Sequence, residues 1–295
     1  MNVVVTGASG FVGRRVVAEL VEAGHHVKGI QRQLPADADP RVVWIRGDLA
    51  DLDLVKVLAG AEAVVHLVGI IREDSAHHIT FERIHVGLTE RVLRAAQIAE
   101  VPRLIHMSAL GTRRDAVSQY HHTKWRAEEL VRSAPGLAWT ILRPSLIFGS
   151  GAPFFDLLAT LSRLPRVPVP GDGRTLFQPV SRTDVARLIA RALPDPAASR
   201  MTLEIGGPER FSLNQLFDLM GTRVGRPHPP KVHLPLSMVA LVASFHQVLP
   251  VPITPDQLAM LTEPNVTDDT TWLKWVPQPE QLSSWAAKEH ADRSG

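Results

Sequence analysis

Three residues in the middle of the chain have the types and the spacing of an acid–base centre. Tyr120 is the only tyrosine of the sequence, and Lys124 follows it by four positions, which places both side chains on one face of a helix. A phenol titrates near pH ~10, but a neighbouring ammonium stabilises the phenolate. Such a phenol can exchange a proton with a hydroxyl or carbonyl group. Ser108 precedes Tyr120 by twelve positions, ends a predicted strand and is expected to orient the substrate oxygen.

A glycine-rich segment near the start of the chain predicts a phosphate site. Residues 3–5 are a β-branched apolar run, typical of a buried parallel strand, and a helical pattern covers residues 10–23. Between them, three glycines follow the spacing G-x-x-G-x-x-G. Backbone N–H groups of such a turn, together with the positive end of the helix dipole, can hold a pyrophosphate. The residues of this predicted site are Gly7, Ser9, Gly10, Phe11, Val12 and Gly13.

The three glycines have separate expected roles in that turn. Gly7 permits the tight backbone turn, Gly10 leaves room for the phosphate, and Gly13 lets the helix and the strand pack closely. The turn lies between a strand and a helix, as a dinucleotide site requires, so the pattern predicts dinucleotide binding.

The end of the second predicted strand bears on the identity of the dinucleotide. The residue at this position meets the adenosine ribose, where a carboxylate favours NAD. This chain has Gln31 there, followed by Arg32. A neutral side chain beside a guanidinium leaves room and positive charge for a 2′-phosphate. The sequence therefore favours NADP(H), with NAD(H) as the alternative, and Lys124 is expected also to bond to the nicotinamide ribose.

Strand and helix patterns alternate through the first two-thirds of the chain, including a helical pattern over residues 85–99. This alternation predicts an α/β fold with a Rossmann-type doubly wound parallel sheet. Prolines become dense beyond residue 207, which favours short helices and loops over sheet and predicts a small, mostly helical C-terminal lobe. The predicted domains are an NAD(P)-binding domain of residues 1–150 plus 180–206, and a substrate or partner lobe of residues 151–179 plus 207–295.

Composition excludes several other classes of function. The 32 Lys and Arg residues nearly balance the 30 Asp and Glu residues, and no basic cluster of the kind that binds nucleic acid is present. The chain has no cysteine, which excludes disulfides and thiolate metal sites. Its 13 histidines lack metal-ligand spacing with carboxylates, so we expect no metal. His66 is interpreted as a structural histidine at the rim of the sheet.

The start of the chain and one apolar segment bear on the location of the protein and on its contact with membranes. The chain enters a core strand directly, which predicts no cleavable signal peptide and a cytoplasmic protein. No apolar run reaches the ~18 residues that span a bilayer. Residues 236–245 are apolar on nearly every side, and we favour a helix buried in the small lobe. The alternative is contact with a membrane surface or a larger protein complex through residues 236–248.

These motifs resemble the short-chain dehydrogenase/reductase superfamily, in its extended or atypical branch. The first glycine turn has the superfamily's T-G-x-x-G-x-x-G spacing. Residues 66–73 and 254–261 are similar to the branch that contains epimerase/dehydratase-like proteins and the nucleotide-binding accessory subunit of respiratory complex I. Residues 142–149 and 178–186 also match that branch. By this resemblance, further cofactor contacts are expected at Asp48, Leu49, Leu67, Val68, Gly69 and Pro144.

The chain departs from the sugar-epimerase pattern in two ways. The spacing from Ser108 to Tyr120 is short, and His85 stands where that pattern usually has Asn. We therefore favour an NADP(H)-dependent oxidoreductase that transfers hydride to or from a small carbonyl or alcohol substrate. A non-catalytic NADP(H)-binding accessory or sensor protein and a nucleotide-sugar epimerase or dehydratase stay open. The sequence leaves open both the substrate and whether the chain forms a homodimer.

Overall fold

Short apolar segments rich in valine and isoleucine form most of the strands. The computed structural model describes residues 1–33, 38–245 and 253–294. The strands are β1 (Asn2–Thr6), β2 (His26–Gln31), β3 (Val43–Arg46), β4 (Ala63–His66), β5 (Arg103–Met107), β6 (Ala138–Pro144), β7 (Ile147–Phe148), β8 (Val167–Pro170), β9 (Leu176–Phe177), β10 (Val180–Ser181), β11 (Met201–Ile205), β12 (Phe211–Ser212) and β13 (Lys231–Leu234).

Amphipathic segments form most of the helices, and seven of the ten that the structure describes lie between strands. These are α1 (Phe11–Glu22), α2 (Leu54–Leu58), α3 (Leu88–Ile98), α4 (Gln119–Ser133), α5 (Pro153–Leu161), α6 (Arg182–Ala192), α7 (Leu213–Arg223), α8 (Leu236–Ser244), α9 (Pro255–Thr262) and α10 (Leu282–Ser294). The chain divides into two compact units. The first contains Met1–Arg143, Arg182–Glu204 and Asp269–Pro277, and the second contains Pro144–Ser181, Ile205–Asp268 and Gln278–Gly295.

A seven-stranded sheet forms the centre of the first unit. Its strand order is β11-β6-β5-β4-β1-β2-β3, and the neighbouring pairs from β6 to β3 are parallel. Val4, Val64 and Leu104 are almost completely buried, as expected for parallel strands covered on both faces. Helices α2, α3 and α4 contribute to the core on one face, and α1 packs against α6. The predicted Rossmann-type doubly wound sheet is confirmed.

The helix predicted over residues 85–99 begins differently in the structure. A π-helical turn, Glu82–Gly87, leads directly into α3, which starts at Leu88. A π turn has i→i+5 hydrogen bonds and produces no side-chain period of its own over so short a stretch. The apolar period of 3.6 residues therefore could not locate this boundary.

The second unit is mostly helical, as predicted, and contains three two-stranded pairs: β7 with β10, β8 with β13 and β9 with β12. The prediction of short helices and loops beyond residue 207 misses two short strands: Phe211–Ser212 pairs with Leu176–Phe177, and Lys231–Leu234 pairs in parallel with Val167–Pro170. Lys231–Leu234 itself contains no proline, and its partner strand contains Pro168 and Pro170. Each strand of a two-stranded pair has one free edge, where a proline can place its missing N–H without losing a ladder bond.

The favoured interpretation of residues 236–245 as a buried helix was wrong. In α8 only Val239 and Ala243 are buried. Most of its large apolar side chains are exposed: Leu236 by 42%, Met238 by 52%, Leu241 by 63%, Val242 by 49% and the neighbouring Phe245 by 48%. Residues 246–248 of the predicted contact segment lie outside the described residues. Among the helices that the structure describes, none combines the length and the apolar character needed to cross a membrane.

Candidate functional site

The predicted site residues of the first unit lie at one edge of its sheet. The glycine turn follows β1, Gln31 ends β2, and the segments after β3 and β4 begin at Gly47 and Leu67. Ser108 directly follows β5. Carboxyl ends of parallel strands share one edge, and ligands bind at that edge in open α/β sheets. Pro144 is the last residue of β6 and belongs to the second unit.

The glycine turn has a geometry that requires glycine at two positions. Gly7 has a φ of +72°, in the left-handed region that side chains disfavour. A Cβ on Gly13 would lie 2.0 Å from the backbone oxygen of Gly7, so α1 approaches the turn too closely for any side chain. A Cβ on Gly10 would meet only that same oxygen, at 3.2 Å. The exposed side of Gly10 is therefore open to a ligand.

The start of α1 is suited to an anion. Its N-cap residue, Gly10, supplies no side-chain cap, and the first turn contains no acidic residue. The first N–H groups of a helix lack intrahelical partners, and they form the positive end of the helix dipole. Together with the turn, these groups fit the diphosphate of a dinucleotide. Of the other residues predicted here, Ser9 accepts a hydrogen bond through its backbone oxygen from Nε of Arg14 at 3.0 Å.

Arg182 is a neighbour of this turn that sequence reasoning missed. It is the first residue of α6, its guanidinium lies 4.8 Å from the ring centroid of Phe11, and its Nη1 donates to the backbone oxygen of Phe11 at 3.3 Å. Burial lowers the pKa of Arg182, and the nearby cations Arg15 and Arg14 act in the same direction. Three guanidinium groups therefore lie close to the helix start. The sequence signal for this contact was weak, because 171 positions separate the two residues.

The end of β2 contains a buried amide whose two polar atoms have no partner among the described residues. Gln31 is 4% exposed, and neither Oε1 nor Nε2 forms a hydrogen bond with that part of the chain. A buried amide without partners is costly, so this group is suited to a hydroxyl of a bound ribose. Arg32 is exposed, and so is Arg46, the register partner of Gln31 on β3. Neither arginine forms an ion pair with another residue that the structure describes. The carboxylate of Asp48 accepts from the N–H of Ala50 at 2.8 Å.

Lys124 is the most constrained residue of the predicted acid–base centre. Its side chain is buried, and Nζ donates to the backbone oxygen of Met107 at 3.0 Å. A Cβ on Gly69 would lie 3.0 Å from Nζ, so the absence of a side chain after β4 makes room for the amine. Burial lowers the pKa of Lys124 to about 8, while the charge of Glu128 opposes that shift.

Ser108 and Tyr120 belong to the two segments that the side chain of Lys124 joins: Ser108 follows β5, and Tyr120 lies on α4. Ser108 follows Met107 directly, is buried, and donates its hydroxyl to Oγ1 of Thr112 at 3.3 Å. Tyr120 is the second residue of α4, whose N-cap Ser118 accepts from the N–H of His121. The helix therefore carries Tyr120 and Lys124 one turn apart on the same face. Tyr120 is partly buried.

A group of buried histidines lies behind these residues. His66 is 1% exposed and bonds to Oγ1 of Thr6 at 2.7 Å and of Thr89 at 3.1 Å. Burial, with a smaller effect of the Lys124 charge, lowers the pKa of His66 to about 3. His66 is thus a core residue rather than a rim residue. No cluster of three or more possible metal ligands occurs among the residues that the structure describes.

His106 and His85 belong to the same group. The ring centroids of His106 and His66 are 5.5 Å apart, and burial lowers the pKa of His106 well below its usual value. Burial lowers the pKa of His85 to about 2, and the charge of Lys124 adds to that effect. In the sequence these histidines showed no spacing that would have grouped them, because three different elements bring them together.

The fold and the arrangement at this sheet edge define a nucleotide-binding Rossmann protein. Residues 7–196 match the NAD(P)H-binding family, and the chain belongs to that family. The chain is similar to the mitochondrial NADH dehydrogenase [ubiquinone] 1 alpha subcomplex subunit 9 of Arabidopsis thaliana, with 31% identity over 90% of this chain and 69% of that protein. The Mus musculus protein of that name is 31% identical over 79% of this chain and 63% of its own length. The chain thus spans about two thirds of these relatives.

Solved structures of sugar-nucleotide enzymes share the fold. UDP-glucuronic acid 4-epimerase from Bacillus cereus, in complex with UDP-glucuronic acid and NAD, has a TM-score of 0.75 and 21% identity, covering 99% of this chain and 98% of that chain. A nucleoside-diphosphate-sugar epimerase from Staphylococcus aureus has a TM-score of 0.78 and 18% identity, covering 97% and 99%. At these identities the likeness shows the fold alone. With the family match, the resemblance found in the sequence is confirmed.

Proposed function

We propose that this chain is an NADP(H)-dependent oxidoreductase that acts on a small carbonyl or alcohol substrate. The buried ammonium of Lys124 is the observation that supports the proposal most strongly. Its Nζ bonds to Met107, the residue before Ser108, and its helix also carries Tyr120. Burying an amine is costly, and a purely structural contact with one carbonyl gives little in return. An ammonium held beside a phenol is what proton exchange with a substrate oxygen needs.

Different residues at the sheet edge contact different parts of the dinucleotide in this proposal. In this proposal Gly7, Gly10 and the start of α1 hold the diphosphate, while Gln31 and Arg32 face the adenosine ribose. The contacts expected from the family resemblance at Asp48, Leu49, Leu67, Val68, Gly69 and Pro144 remain part of the proposal. When bound, the dinucleotide supplies a nicotinamide ring that gives or accepts hydride.

The protein's own residues handle the proton. With a pKa of about 8, Lys124 is mostly protonated at neutral pH, so its positive charge favours the phenolate form of Tyr120. Tyr120 then gives a proton to a carbonyl oxygen, or takes one from a hydroxyl group, at the substrate atom that Ser108 orients. Lys124 also has N–H groups in excess of its bond to Met107, and one of them is available to a ribose hydroxyl.

Cofactor selectivity is the first test of the proposal. NADPH is expected to bind more tightly than NADH, because Arg32 can pair with a 2′-phosphate. A charge-assisted hydrogen bond contributes ~1.5–3 kcal/mol, so Arg32→Ala should weaken NADPH binding about tenfold to about a hundredfold and NADH binding little. Calorimetric titration measures both affinities. Arg94→Ala, on the exposed face of α3, is the matched control. Equal affinities of the wild type for the two dinucleotides would contradict the assignment.

Proton transfer by Tyr120 is the second test. Single-turnover oxidation of bound NADPH is followed by its absorbance while a panel of small aldehydes and ketones is added. Tyr120→Phe keeps the ring and removes the hydroxyl group, so NADPH should still bind while the rate falls by about 10²–10⁴. Oxidation by the phenylalanine variant at the wild-type rate would show that Tyr120 is not the acid–base group.

A non-catalytic NADP(H)-binding accessory protein is the second candidate. The names of the Arabidopsis and mouse relatives, which are subunits of an NADH dehydrogenase, favour it. The exposed apolar residues of α8, such as Met238 and Leu241, also favour it, because exposed apolar patches often mark contacts with other proteins. The same absorbance assay separates the candidates. Tight NADPH binding without oxidation by any acceptor would favour the accessory role.

A further inference from the structure

Three rings enclose the side chain of Tyr120. The ring centroid of His85 lies 5.3 Å away at an interplanar angle of 86°, and that of Phe81 lies 5.9 Å away at 78°. The third ring, His121, lies 5.2 Å away at 71°. Edge-to-face contacts of this kind have a preferred geometry and contribute beyond the area that they bury. Of the three, His85 is also stacked on Phe81, at 5.4 Å and 25°.

His85 is fixed at both ring nitrogens. Nδ1 lies 2.9 Å from Oγ1 of Thr123, while Nε2 lies 3.0 Å from the backbone oxygen and 3.2 Å from the backbone nitrogen of Ile70. A hydroxyl and a ring nitrogen can each donate or accept, and the backbone of Ile70 offers both an acceptor and a donor to Nε2. Both nitrogens of the neutral imidazole therefore have a hydrogen-bond partner in either tautomer. With both nitrogens engaged and 1% of its surface exposed, the ring cannot rotate freely.

The backbone around His85 is shaped for this placement. His85 lies in the π-helical turn Glu82–Gly87, and its own carbonyl accepts from the hydroxyl of Thr89 at 2.6 Å. Single π turns inside helices are frequent at functional sites, because they re-aim one or two side chains. Here the π-helical turn, which directly precedes α3, brings the ring of His85 to Tyr120 at the start of α4.

The ring of His85 and the amine of Lys124 both lie next to Gly69. A Cβ placed on Gly69 would lie 3.0 Å from Nζ of Lys124 and 3.7 Å from Nε2 of His85. A neutral imidazole at this place adds no positive charge that would oppose the ammonium. It therefore holds the phenol without disturbing the electrostatics on which the proposed chemistry depends.

We infer that His85 is a positioning residue, which fixes the ring of Tyr120 relative to Lys124 through its ring contact and its bond to Thr123. The inference rests on the proposed function, because it concerns the acid–base role of Tyr120. His85 itself does not exchange the proton in this arrangement. Loss of its ring is expected to let the phenol move away from the ammonium.

Because Tyr120 is the only tyrosine, one label reports on it alone. Protein with ¹³C at Cζ of tyrosine gives a single resonance, whose pH titration is followed by NMR with saturating NADP⁺. A displacement of about 1 Å from a charge ~4 Å away changes the titration midpoint by about half a pH unit. His85→Ala and Thr123→Val should therefore both raise the midpoint by about that amount. His106→Ala, a buried histidine whose ring contacts His66, is the matched control and should leave it unchanged.

The outcomes separate failure of the inference from failure of the proposed function. A wild-type midpoint below that of free tyrosine, raised in His85→Ala and Thr123→Val but not in the control, supports the inference. A lowered wild-type midpoint that both variants retain would overturn the role of His85 alone. A wild-type midpoint equal to that of free tyrosine would overturn the proposed function as well. If His85→Ala does not fold, as judged by its thermal melt, Thr123→Val decides, because it keeps the ring of His85 and removes the hydrogen-bond partner of Nδ1.

Discussion

Mild acidification is expected to destabilise this protein through three buried histidines. His66, His85 and His106 are each about 1% exposed, and burial lowers the pKa of each below its usual 6.5. The folded state therefore keeps all three neutral, while the unfolded chain takes up a proton on each near pH ~6.5. Because the unfolded state binds more protons, stability is fully present above that pH and is lost as the pH falls.

The size of the effect follows from proton linkage. At about pH 5.5, one unit below the pKa of an unfolded histidine, each buried histidine reduces the free energy of unfolding by about 1.4 kcal/mol. Three such residues together give a loss of about 4 kcal/mol relative to about pH 7.5. Domains are typically stable by about 5–15 kcal/mol, so this loss is a large part of the total. Most carboxyl groups titrate at lower pH and contribute little in this window.

Urea denaturation followed by tryptophan fluorescence measures the loss. Five of the six tryptophans, all except Trp285, lie in the first unit with these histidines. His106→Phe removes one titrating group, and the ring nitrogens of His106 form no hydrogen bond with the residues that the structure describes. The stability that this variant loses on acidification should therefore be smaller by about 1.4 kcal/mol. The control His26→Gln, at the exposed start of β2, should show the full loss. A free energy of unfolding that is equal at the two pH values would refute the reasoning.

Three substitutions test other parts of the first unit. In Gly13→Ala the new Cβ would lie 2.0 Å from the backbone oxygen of Gly7, so the melting temperature should fall and NADPH binding should be lost. Unchanged NADPH binding, measured by calorimetry, would contradict this expectation. Arg103 donates to the carbonyls of Ala192, the last residue of α6, and of Leu193, which follows it. Arg103→Ala should therefore lower the free energy of unfolding by about 3 kcal/mol or more in urea denaturation, and a loss under about 1 kcal/mol would contradict this. Glu128 is fully buried and accepts two hydrogen bonds from Arg143, at 2.8 and 2.7 Å. Glu128→Gln removes the charge of this buried ion pair and should lower the melting temperature. An unchanged melting temperature would contradict a stabilising role of the pair.

The parts of the fold that the sequence predicted correctly are those with local signals. The turn after β1 is an example, because the positive φ of Gly7 and the close approach at Gly13 both leave a glycine at a fixed spacing. Alternating buried strands and amphipathic helices similarly predicted the parallel sheet. The same logic placed Ser108 at a strand end and put Tyr120 and Lys124 on one helix face, although their roles stay predictions.

The features that the sequence did not predict depend on contacts between distant segments. The exposure of α8 is one, because a nine-residue helix with seven apolar residues can equally cover a core or face solvent, and only the surrounding chain decides. The contacts of His85 with Tyr120 and of Arg182 with Phe11 are others, since no local period in the sequence connects the residues of either pair. Gln31 is intermediate. The sequence predicted its place at the end of β2, but not that its buried amide would find no hydrogen-bond partner among the described residues.

The burial of Lys124 also bears on covalent labelling. Burial lowers the pKa of its amine to about 8 in the closed protein, and opening to solvent removes the cause of that shift, so accessibility governs the labelling. The residue is only 4% exposed, so an acylating reagent reaches it only while the surrounding structure is briefly open. The acylation rate of this one amine therefore measures how often the structure around Lys124 opens, without any mutation or added probe.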